Sequence, residues 1–136
     1  MFVIDTSVVA KWFIEEKDSA KAILLKENHV AGKDILIAPD LLIYELANVL
    51  LFSKLFNPEE IERCLKDMFE LEIDFVNPSA DFVFSAIELA CDKHISIYDA
   101  SYLAIANELN IKLITADEKL YNSAKVLQCI ELISHI

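Results

Sequence analysis

The stretch FVIDTSVV, at residues 2 to 9, sets the pattern of the whole chain. Phe2, Val3 and Ile4 form an apolar run, which predicts a short buried strand. The run ends at Asp5, and an apolar helical pattern starts near Ser7. Because an ionised carboxylate beside a buried strand is costly unless it is paired or binds a cation, Asp5 marks a candidate functional site.

Short apolar runs and helical patterns alternate along the rest of the chain. Including the first, strands are predicted at Phe2–Asp5, Ile35–Ala38, Ile73–Val76, Ile111–Thr115 and Cys129–Ile133. Helices are predicted between them, at Ser7–Phe13, Ser19–Val30, Asp40–Leu55, Glu59–Leu71, Ala80–Lys93, Asp99–Leu109 and Glu118–Lys125. This alternation predicts an α/β fold in which helices cover both faces of a parallel sheet.

Three prolines and one asparagine refine the predicted boundaries of the helices. Pro39, Pro58 and Pro78 are each expected at the start of a helix, where a missing N–H costs little. Asn110 is expected to end a helix in the left-handed conformation.

Length and composition favour a single domain that covers residues 1–136 and forms oligomers. The chain has 55% apolar residues and a mean hydropathy of +0.38, which is rich for one soluble domain. The excess suggests apolar surface buried in a homodimer, with Trp12 and Phe13 as candidates for it. No membrane span is expected, because the longest apolar run, Tyr102–Ala106, is far shorter than the ~20 residues required.

The cysteines and the N-terminus predict a cytoplasmic protein without a soft-metal site. Cys64, Cys91 and Cys129 are far apart and include no CxxC pair, which is typical of a reducing compartment. No basic segment precedes the first apolar run, so a signal peptide is not expected. The three histidines show no zinc-ligand spacing.

Charge and glycine content exclude several classes of function. The net charge of −11 argues against a broad basic surface for nucleic acid and favours a site that concentrates cations, or a basic partner. Gly32 is the only glycine, so neither a P-loop nor a dinucleotide-binding GxGxxG turn is possible. A haloacid-dehalogenase site would need a second acid where Ser7 stands, and the third strand ends in Asn77 where a receiver domain needs its phosphoacceptor.

Four acids stand in unexpected places. Asp5 and Asp117 follow strands, Asp99 opens a helix, and Glu45 interrupts the apolar helix LLIYELANVLLF at residues 41 to 52. That helix is expected to be buried, and Asn48 shares the polar face of Glu45. Taken singly, each aspartate could cap a helix, and Glu45 could belong to a solvated stripe or a salt bridge.

Taken together, the four acids predict a cation site. The carboxyl ends of parallel strands share one edge, so Asp5 and Asp117 are expected to be close in space. Clustered carboxylates repel one another and need a counter-charge. Oxygen-only ligands select Mg²⁺ or Mn²⁺, and such ions suit reactions of phosphate esters.

The blocks FVIDTSVVAKWF, APDLLIYELANVL, IYDASYLAIANEL and KLITADEKL resemble, in this order, the four sequence blocks of PIN domains. The likeness is closest to the VapC-type toxins of bacteria and archaea and runs from Met1 to about Tyr121. The resemblance implies a three-layer α/β/α sandwich around a parallel sheet and a metal-dependent endoribonuclease. It assigns catalysis to Asp5, Glu45, Asp99 and Asp117, and hydrogen-bonding support to Thr6, Ser7, Asn48 and Thr115.

In the mechanism expected from this resemblance, Asp5, Asp99 and Asp117 hold Mg²⁺ or Mn²⁺, and Glu45 orients a water or helps to hold a second ion. RNA would be cut to give a 5′-phosphate and a 3′-hydroxyl. Lys11 and Lys119 are the basic residues nearest to the acidic blocks; they are expected to be solvated, with contact to RNA phosphate as the alternative.

Partners follow from the same resemblance. The expected partners are RNA, a second copy of the chain and a cognate antitoxin protein. Two other functions stay open: a PIN-like scaffold that binds protein or RNA without cutting, and a housekeeping RNA-processing nuclease.

Overall fold

A five-stranded parallel sheet forms the centre of the molecule. The computed structural model describes every residue from Met1 to Ile136. The strands, in chain order, are β1 (Phe2–Ile4), β2 (Leu36–Pro39), β3 (Asp74–Val76), β4 (Lys112–Thr115) and β5 (Ile130–Leu132). Their order across the sheet is β3-β2-β1-β4-β5, and every neighbouring pair is parallel.

Seven α-helices surround the sheet and complete a three-layer α/β/α sandwich, as predicted. They are α1 (Thr6–Val9), α2 (Ser19–Val30), α3 (Leu41–Ser53), α4 (Pro58–Glu70), α5 (Ala80–Lys93), α6 (Ile97–Leu109) and α7 (Glu118–Ala124). Three 3-10 turns follow α1, α7 and β5, at Ala10–Trp12, Lys125–Leu127 and Ile133–His135. No helix is both long and apolar enough to cross a membrane.

The core has two parts because side chains of a strand alternate between the faces of the sheet. On β4, Leu113 belongs to a cluster of 26 buried residues, which includes the inner sides of α3 and α6. The next residue, Ile114, belongs to a cluster of five with Val8, Ala22 and Leu25 from α1 and α2. The strands are thus buried on both faces, as their continuous apolar runs indicate.

The sheet order places a switch point between β1 and β4. The chain builds β2 and β3 on one side of β1, and then crosses to build β4 and β5 on the other. Ile4 pairs with Ile114 in the register of these two strands. The residues that follow, Asp5 and Thr115, therefore meet where ligands bind in open parallel sheets.

Several boundaries differ from the sequence prediction for local reasons. Helix α1 starts at Thr6, one residue earlier than predicted, because Asp5 caps it, and it tightens into a 3-10 turn at Ala10. Pro39 ends β2 and does not begin a helix, while Pro58 is the first residue of α4, as predicted. Asn110 does end α6 in the left-handed region, at φ 53°.

Helix α3 is not the buried helix that its apolar sequence predicted. Only Leu42, Leu46 and Leu50 are buried, on the side that faces the core. Tyr44, Leu51 and Phe52, together with Leu55 just after the end of the helix, form an exposed stripe, and Phe52 is 71% exposed. Composition alone could not distinguish a helix enclosed by its own domain from one whose apolar side is left open.

Trp12 and Phe13 are not among the strongly exposed apolar side chains. Both side chains are half-buried and pack against the main core. The indole Nε1 of Trp12 donates to the carbonyl oxygen of Ala22 at 2.9 Å, which fastens the 3-10 turn to α2. The exposed apolar surface lies elsewhere, and α3 carries the stripe just described.

Candidate active site at the carboxyl edge of the sheet

Asp5 is a buried acid at the switch point. Only 6% of the residue is exposed. Its Oδ1 accepts hydrogen bonds from the Ser7 hydroxyl at 2.5 Å and the Val8 amide at 3.2 Å. Its Oδ2 accepts from the Thr115 hydroxyl at 2.5 Å. Asp5 therefore caps α1, and it is also held by the neighbouring strand.

The two hydroxyl groups are themselves oriented by the backbone. Ser7 Oγ accepts from the Ala116 amide at 2.8 Å, and Thr115 Oγ1 accepts from the Asp117 amide at 3.0 Å. Each hydroxyl oxygen thus accepts a hydrogen bond from a backbone amide, and each hydroxyl group donates a hydrogen bond to Asp5. The loop after β4 and the start of α1 are joined around one carboxylate.

These neutral donors do not compensate for the burial of Asp5. Burial raises the pKa of the Asp5 carboxyl from its ordinary 3.8 to about 6, although Ser7, Thr115 and Val8 lower it, and the charge of Asp99 raises it further. No Lys or Arg forms an ion pair with it. Asp5 is therefore a buried acid without a cation in its surroundings.

Asp99 lies in the first turn of α6 and is not the helix cap. Ser96 is the cap, since its hydroxyl oxygen accepts from the Asp99 amide at 3.0 Å. The Asp99 carboxyl is half-buried, and this burial raises its pKa; Ser96 lowers it, and the charge of Asp117 raises it again. The capping explanation for Asp99 is thus wrong, because the hydroxyl three residues earlier already does that work.

Asp117 differs from Asp99 in its exposure and in its role at the helix start. It is exposed and caps α7, with Oδ1 accepting from the amides of Lys119 at 2.8 Å and Leu120 at 2.9 Å. Its second oxygen makes no hydrogen bond within the protein. One residue therefore begins a helix and presents a free carboxylate oxygen beside Asp99.

Glu45 reaches the same edge from α3. Its Oε1 accepts from the Tyr102 hydroxyl at 2.5 Å and from the Thr6 hydroxyl at 3.2 Å. No hydrogen bond reaches Oε2. Burial, followed by the hydrogen bond to Glu45, raises the pKa of Tyr102 far above its ordinary value, so the phenol stays protonated and donates.

Tyr102 is a site residue that no sequence motif predicts. In the sequence it is only the first residue of an apolar run, and the structure shows a buried hydroxyl that joins α6 to α3. A signal was present, because Tyr102 lies three residues after Asp99 and so shares its side of the helix.

A cleft of about 500 Å³ opens beside these groups. It is lined by residues of α1, α3 and the segments after α1 and β4, namely Thr6, Ser7, Ala10, Lys11, Glu16, Glu45, Asn48, Val49 and Ala116. Asn48 is exposed on its wall and takes part in no side-chain hydrogen bond, so the predicted hydrogen-bonding support comes from Thr6, Ser7 and Thr115.

Lys11 differs from the solvated lysine that was expected. It is 8% exposed, and its Nζ lies 3.0 Å from Oε1 of Glu16. Lys119 is exposed, and its positive charge lowers the pKa of Asp99.

The donor chemistry fits a hard divalent cation, although no closed cage exists. No three His, Cys, Asp or Glu side chains converge closely enough to hold one metal ion. Asp5, Glu45, Asp99 and Asp117 nevertheless form no ion pair, and their donors are neutral. Mg²⁺ commonly takes one or two carboxylates and keeps several waters, so an open set of acids is compatible with it.

Comparison with known proteins identifies the fold family. The family model of the PIN domain matches residues 2–126, which is most of the chain. The chain belongs to the PIN-domain family. This PIN domain is 30% identical over 122 residues to a protein named Ribonuclease VapC3 from Pyrobaculum aerophilum, across 87% of this chain and 90% of that relative. The resemblance seen in the four sequence blocks is thus confirmed.

Two solved structures share the fold of this PIN domain. PAE2754 from Pyrobaculum aerophilum superposes with a TM-score of 0.69 at 20% identity, over 98% of this chain and 90% of that one. VapC20 from Mycobacterium tuberculosis, described as a toxin that cleaves the sarcin-ricin loop, superposes with a TM-score of 0.68 at 15% identity, over 90% of this chain and 95% of that one. At these identities the likeness establishes the α/β/α architecture.

Proposed function

We propose that this PIN domain is a metal-dependent endoribonuclease that hydrolyses phosphodiester bonds of RNA. One observation carries the proposal: Asp5 is a buried carboxylate at the switch point, surrounded by neutral donors and by the charge of Asp99. A cation would relieve this arrangement. The similarity to a protein named Ribonuclease VapC3 supports RNA as the substrate.

The four acids divide between two roles in the proposed reaction. Asp5, Asp99 and Asp117 would hold Mg²⁺ or Mn²⁺, directly or through the waters that the ion keeps, with Ser7 and Thr115 fixing the orientation of Asp5. Bound there, the ion would make a water acidic enough to attack and would neutralise charge on the phosphate oxygens. Glu45, held through one oxygen, uses the other to orient the attacking water and accept its proton.

The experiment is cleavage of a mixed-sequence RNA oligonucleotide by the purified protein with Mg²⁺, with Mn²⁺ and with EDTA. We expect products with a 5′-phosphate and a 3′-hydroxyl in the presence of either metal, and intact RNA in EDTA. Asp5→Asn and Asp99→Asn should each lose at least about 100-fold in rate, with unchanged circular dichroism.

Glu88→Gln is the matched control, because Glu88 is an exposed acid on α5. It should cleave like the wild type. Cleavage that persists in EDTA, or full activity of the Asp99→Asn protein, would refute the proposed metal site.

We also propose that the enzyme acts as a toxin whose antitoxin neutralises the acidic site. The uncompensated carboxylates suit an arginine or lysine from a partner protein, since such a group replaces the charge of the metal. Expression of the wild type should arrest growth, and Asp99→Asn should not. Normal growth with wild-type cleavage activity would favour the housekeeping nuclease instead.

The proposed assembly is a homodimer formed through the exposed apolar stripe of α3. Tyr44, Leu51, Phe52 and Leu55 lie on this stripe. The same helix carries Glu45 and Asn48 into the cleft, so a second copy would bring its own surface next to the active site. Neighbouring exposed apolar side chains of this kind are typical of surface that is covered in an assembly.

The non-cutting scaffold is the second candidate, and the open arrangement of the acids favours it. No three of them converge on one point. A scaffold would bind RNA equally with metal and with EDTA and would leave it intact. The cleavage experiment above therefore separates the two functions directly.

A further inference from the structure

Lys11 is the only basic side chain that lines the acidic cleft. It belongs to the 3-10 turn after α1, and its backbone position follows from the cap that Asp5 gives to that helix. The residue is only 8% exposed. It also borders a second, smaller cavity of about 80 Å³, which includes Lys17 and Ser134. Lys11 is thus largely enclosed by protein and borders two cavities.

A buried ammonium group needs a counter-charge, and only one is present. Glu16 Oε1 lies 3.0 Å from Lys11 Nζ, whereas Glu45, whose Oε1 accepts from Tyr102 and Thr6, forms no ion pair with Lys11. Glu16 comes from the short segment between the 3-10 turn and α2, and its side chain is 48% exposed. Lys11 is therefore fixed, and Glu16 is exposed enough to be exchanged for another anion that keeps the ammonium group paired.

The negative charge of the whole protein makes the ammonium group of Lys11 more important for binding a polyanion. With a net charge of −11, the molecule repels a polyanion, and the acids of the site repel it most strongly at close range. A phosphate that reaches the cleft needs a positive group there. Lys11 supplies it, and its single carboxylate partner can be exchanged for another oxyanion.

We propose that Lys11 binds a phosphate of the RNA strand and that Glu16 takes the place of this phosphate in the free protein. Glu16 is then a competitor that RNA must displace, and its exposure permits the exchange. This inference names a substrate contact of the proposed site and so rests on the proposed function, although it concerns binding and not cleavage.

The test measures binding of single-stranded RNA to a protein that does not cut it. Fluorescence anisotropy of a labelled oligonucleotide in EDTA, over a series of salt concentrations, gives both Kd and its salt dependence. In the Asp99→Asn background, Lys11→Met should weaken binding about 10-fold at low salt, and the slope of log Kd against log salt should fall by about 0.7. Glu16→Gln should tighten binding severalfold, because the competitor is removed.

Matched controls separate this contact from general charge. Glu15→Gln changes the net charge as Glu16→Gln does, but Glu15 is an exposed neighbour that does not contact Lys11. Lys66→Met removes a lysine whose side chain is 75% exposed on α4. Glu15→Gln should leave Kd within about twofold, and Lys66→Met should leave the salt slope unchanged.

Two results would overturn the proposal. If Glu16→Gln weakens binding as Lys11→Met does, the pair is a structural unit. If Lys11→Met binds with the salt slope of its parent, no phosphate contact exists. Should Lys11→Met unfold, Lys11→Arg and Glu16→Gln decide, and both must bind RNA at least as well as the parent.

The same measurements remain informative if the nuclease proposal fails. An RNA-binding scaffold would show the predicted effects of Lys11 and Glu16 without any cleavage by the wild type. Cleavage by the wild type without these effects would support the nuclease and reject the contact.

Discussion

The Tyr102 hydroxyl donates a hydrogen bond of 2.5 Å to Oε1 of Glu45, and the two residues are 57 positions apart in the sequence. Oγ1 of Thr6 lies 3.2 Å from the same Glu45 oxygen and 3.1 Å from the hydroxyl oxygen of Tyr102. Three elements, α1, α3 and α6, thus meet at one carboxylate oxygen. The arrangement fixes the carboxylate plane of Glu45 and leaves its other oxygen free for chemistry.

Removal of the Tyr102 hydroxyl should slow catalysis with little effect on substrate binding. Tyr102→Phe keeps the ring in the core and removes only the donor, so Glu45 loses a short hydrogen bond. We expect kcat for RNA cleavage to fall about 10-fold while KM stays within twofold. If the hydroxyl acts through Glu45, it should have no further effect in a Glu45→Gln background.

Tyr98→Phe is the matched control, because that tyrosine lies on the same helix and is 58% exposed. Its activity should equal that of the wild type. Additive effects of Tyr102→Phe and Glu45→Gln would show that Tyr102 supports the fold in general and does not position Glu45.

Without metal, the protein should become more stable as the pH is lowered from 7 toward 4. Burial raises the pKa of Asp5 from 3.8 to about 6, so the folded state binds this proton more tightly than the unfolded chain does. The cost of the ionised group is complete above pH 6 and disappears as pH falls toward 3.8, which corresponds to about 3 kcal/mol. Asp99, whose pKa is also raised, acts in the same direction.

Urea unfolding in EDTA at several pH values measures this effect. In Asp5→Asn, the free energy of unfolding should depend less on pH over the same interval, whatever its absolute value. A wild-type protein that loses stability between pH 7 and pH 5 would contradict the raised pKa.

Asp99→Asn should reverse its stability relative to the wild type when metal is added. In EDTA the substitution removes a repelling charge, so the melting temperature should be equal to or above that of the wild type. With Mn²⁺ at ~100 times its dissociation constant, the wild type should gain about 2.7 kcal/mol, or roughly 5–10 °C. The variant should gain much less.

Thermal melting of both proteins in EDTA and in Mn²⁺ provides the four melting temperatures to be compared. Asp99 would be a structural residue if its variant melted clearly lower in EDTA. If Mn²⁺ leaves the melting temperature of the wild type unchanged, the proposed metal site is wrong.

Phe52→Glu should convert the proposed homodimer to a monomer. Phe52 is 71% exposed in the middle of the α3 stripe, where a dimer would bury it beside a second copy. Light scattering at micromolar concentration should give the dimer mass for the wild type and the monomer mass for the variant.

Val126→Glu is the control for a charge placed on an exposed apolar side chain, since Val126 is 72% exposed outside the stripe. It should remain a dimer. A wild type that is monomeric under these conditions would contradict the proposed assembly.

Much of the architecture follows from local patterns that a single chain carries. The continuous apolar runs around Val3 and Leu113 indicate strands covered on both faces, and the pattern of helices between them requires parallel connections. The PIN-type blocks then predicted which acids lie at the edge of the sheet. The structure confirms the fold, and it places Asp5 at the end of the central strand.

Exposure and charge pairing depend on distant parts of the chain and were predicted less well. The helix α3 was expected to be buried, because its sequence is apolar on nearly every side, yet only its inner side has neighbours. Lys11 was expected in solvent, yet the cleft wall encloses it beside Glu16. In both cases the residue types were compatible with either environment.

The sequence by itself determined the α/β fold and its family and predicted the four candidate acids, because strand and helix periods and short motifs are encoded within a few neighbouring residues. Only the tertiary structure decided that Tyr102 and Thr6 hold Glu45, that Ser7 and Thr115 hold Asp5, and that Ser96 frees Asp99 from capping. A hydrogen bond requires two groups within about 3 Å in a suitable direction. That condition is met by the register of β1 with β4 and by the packing of α3 and α6, which no local pattern specifies.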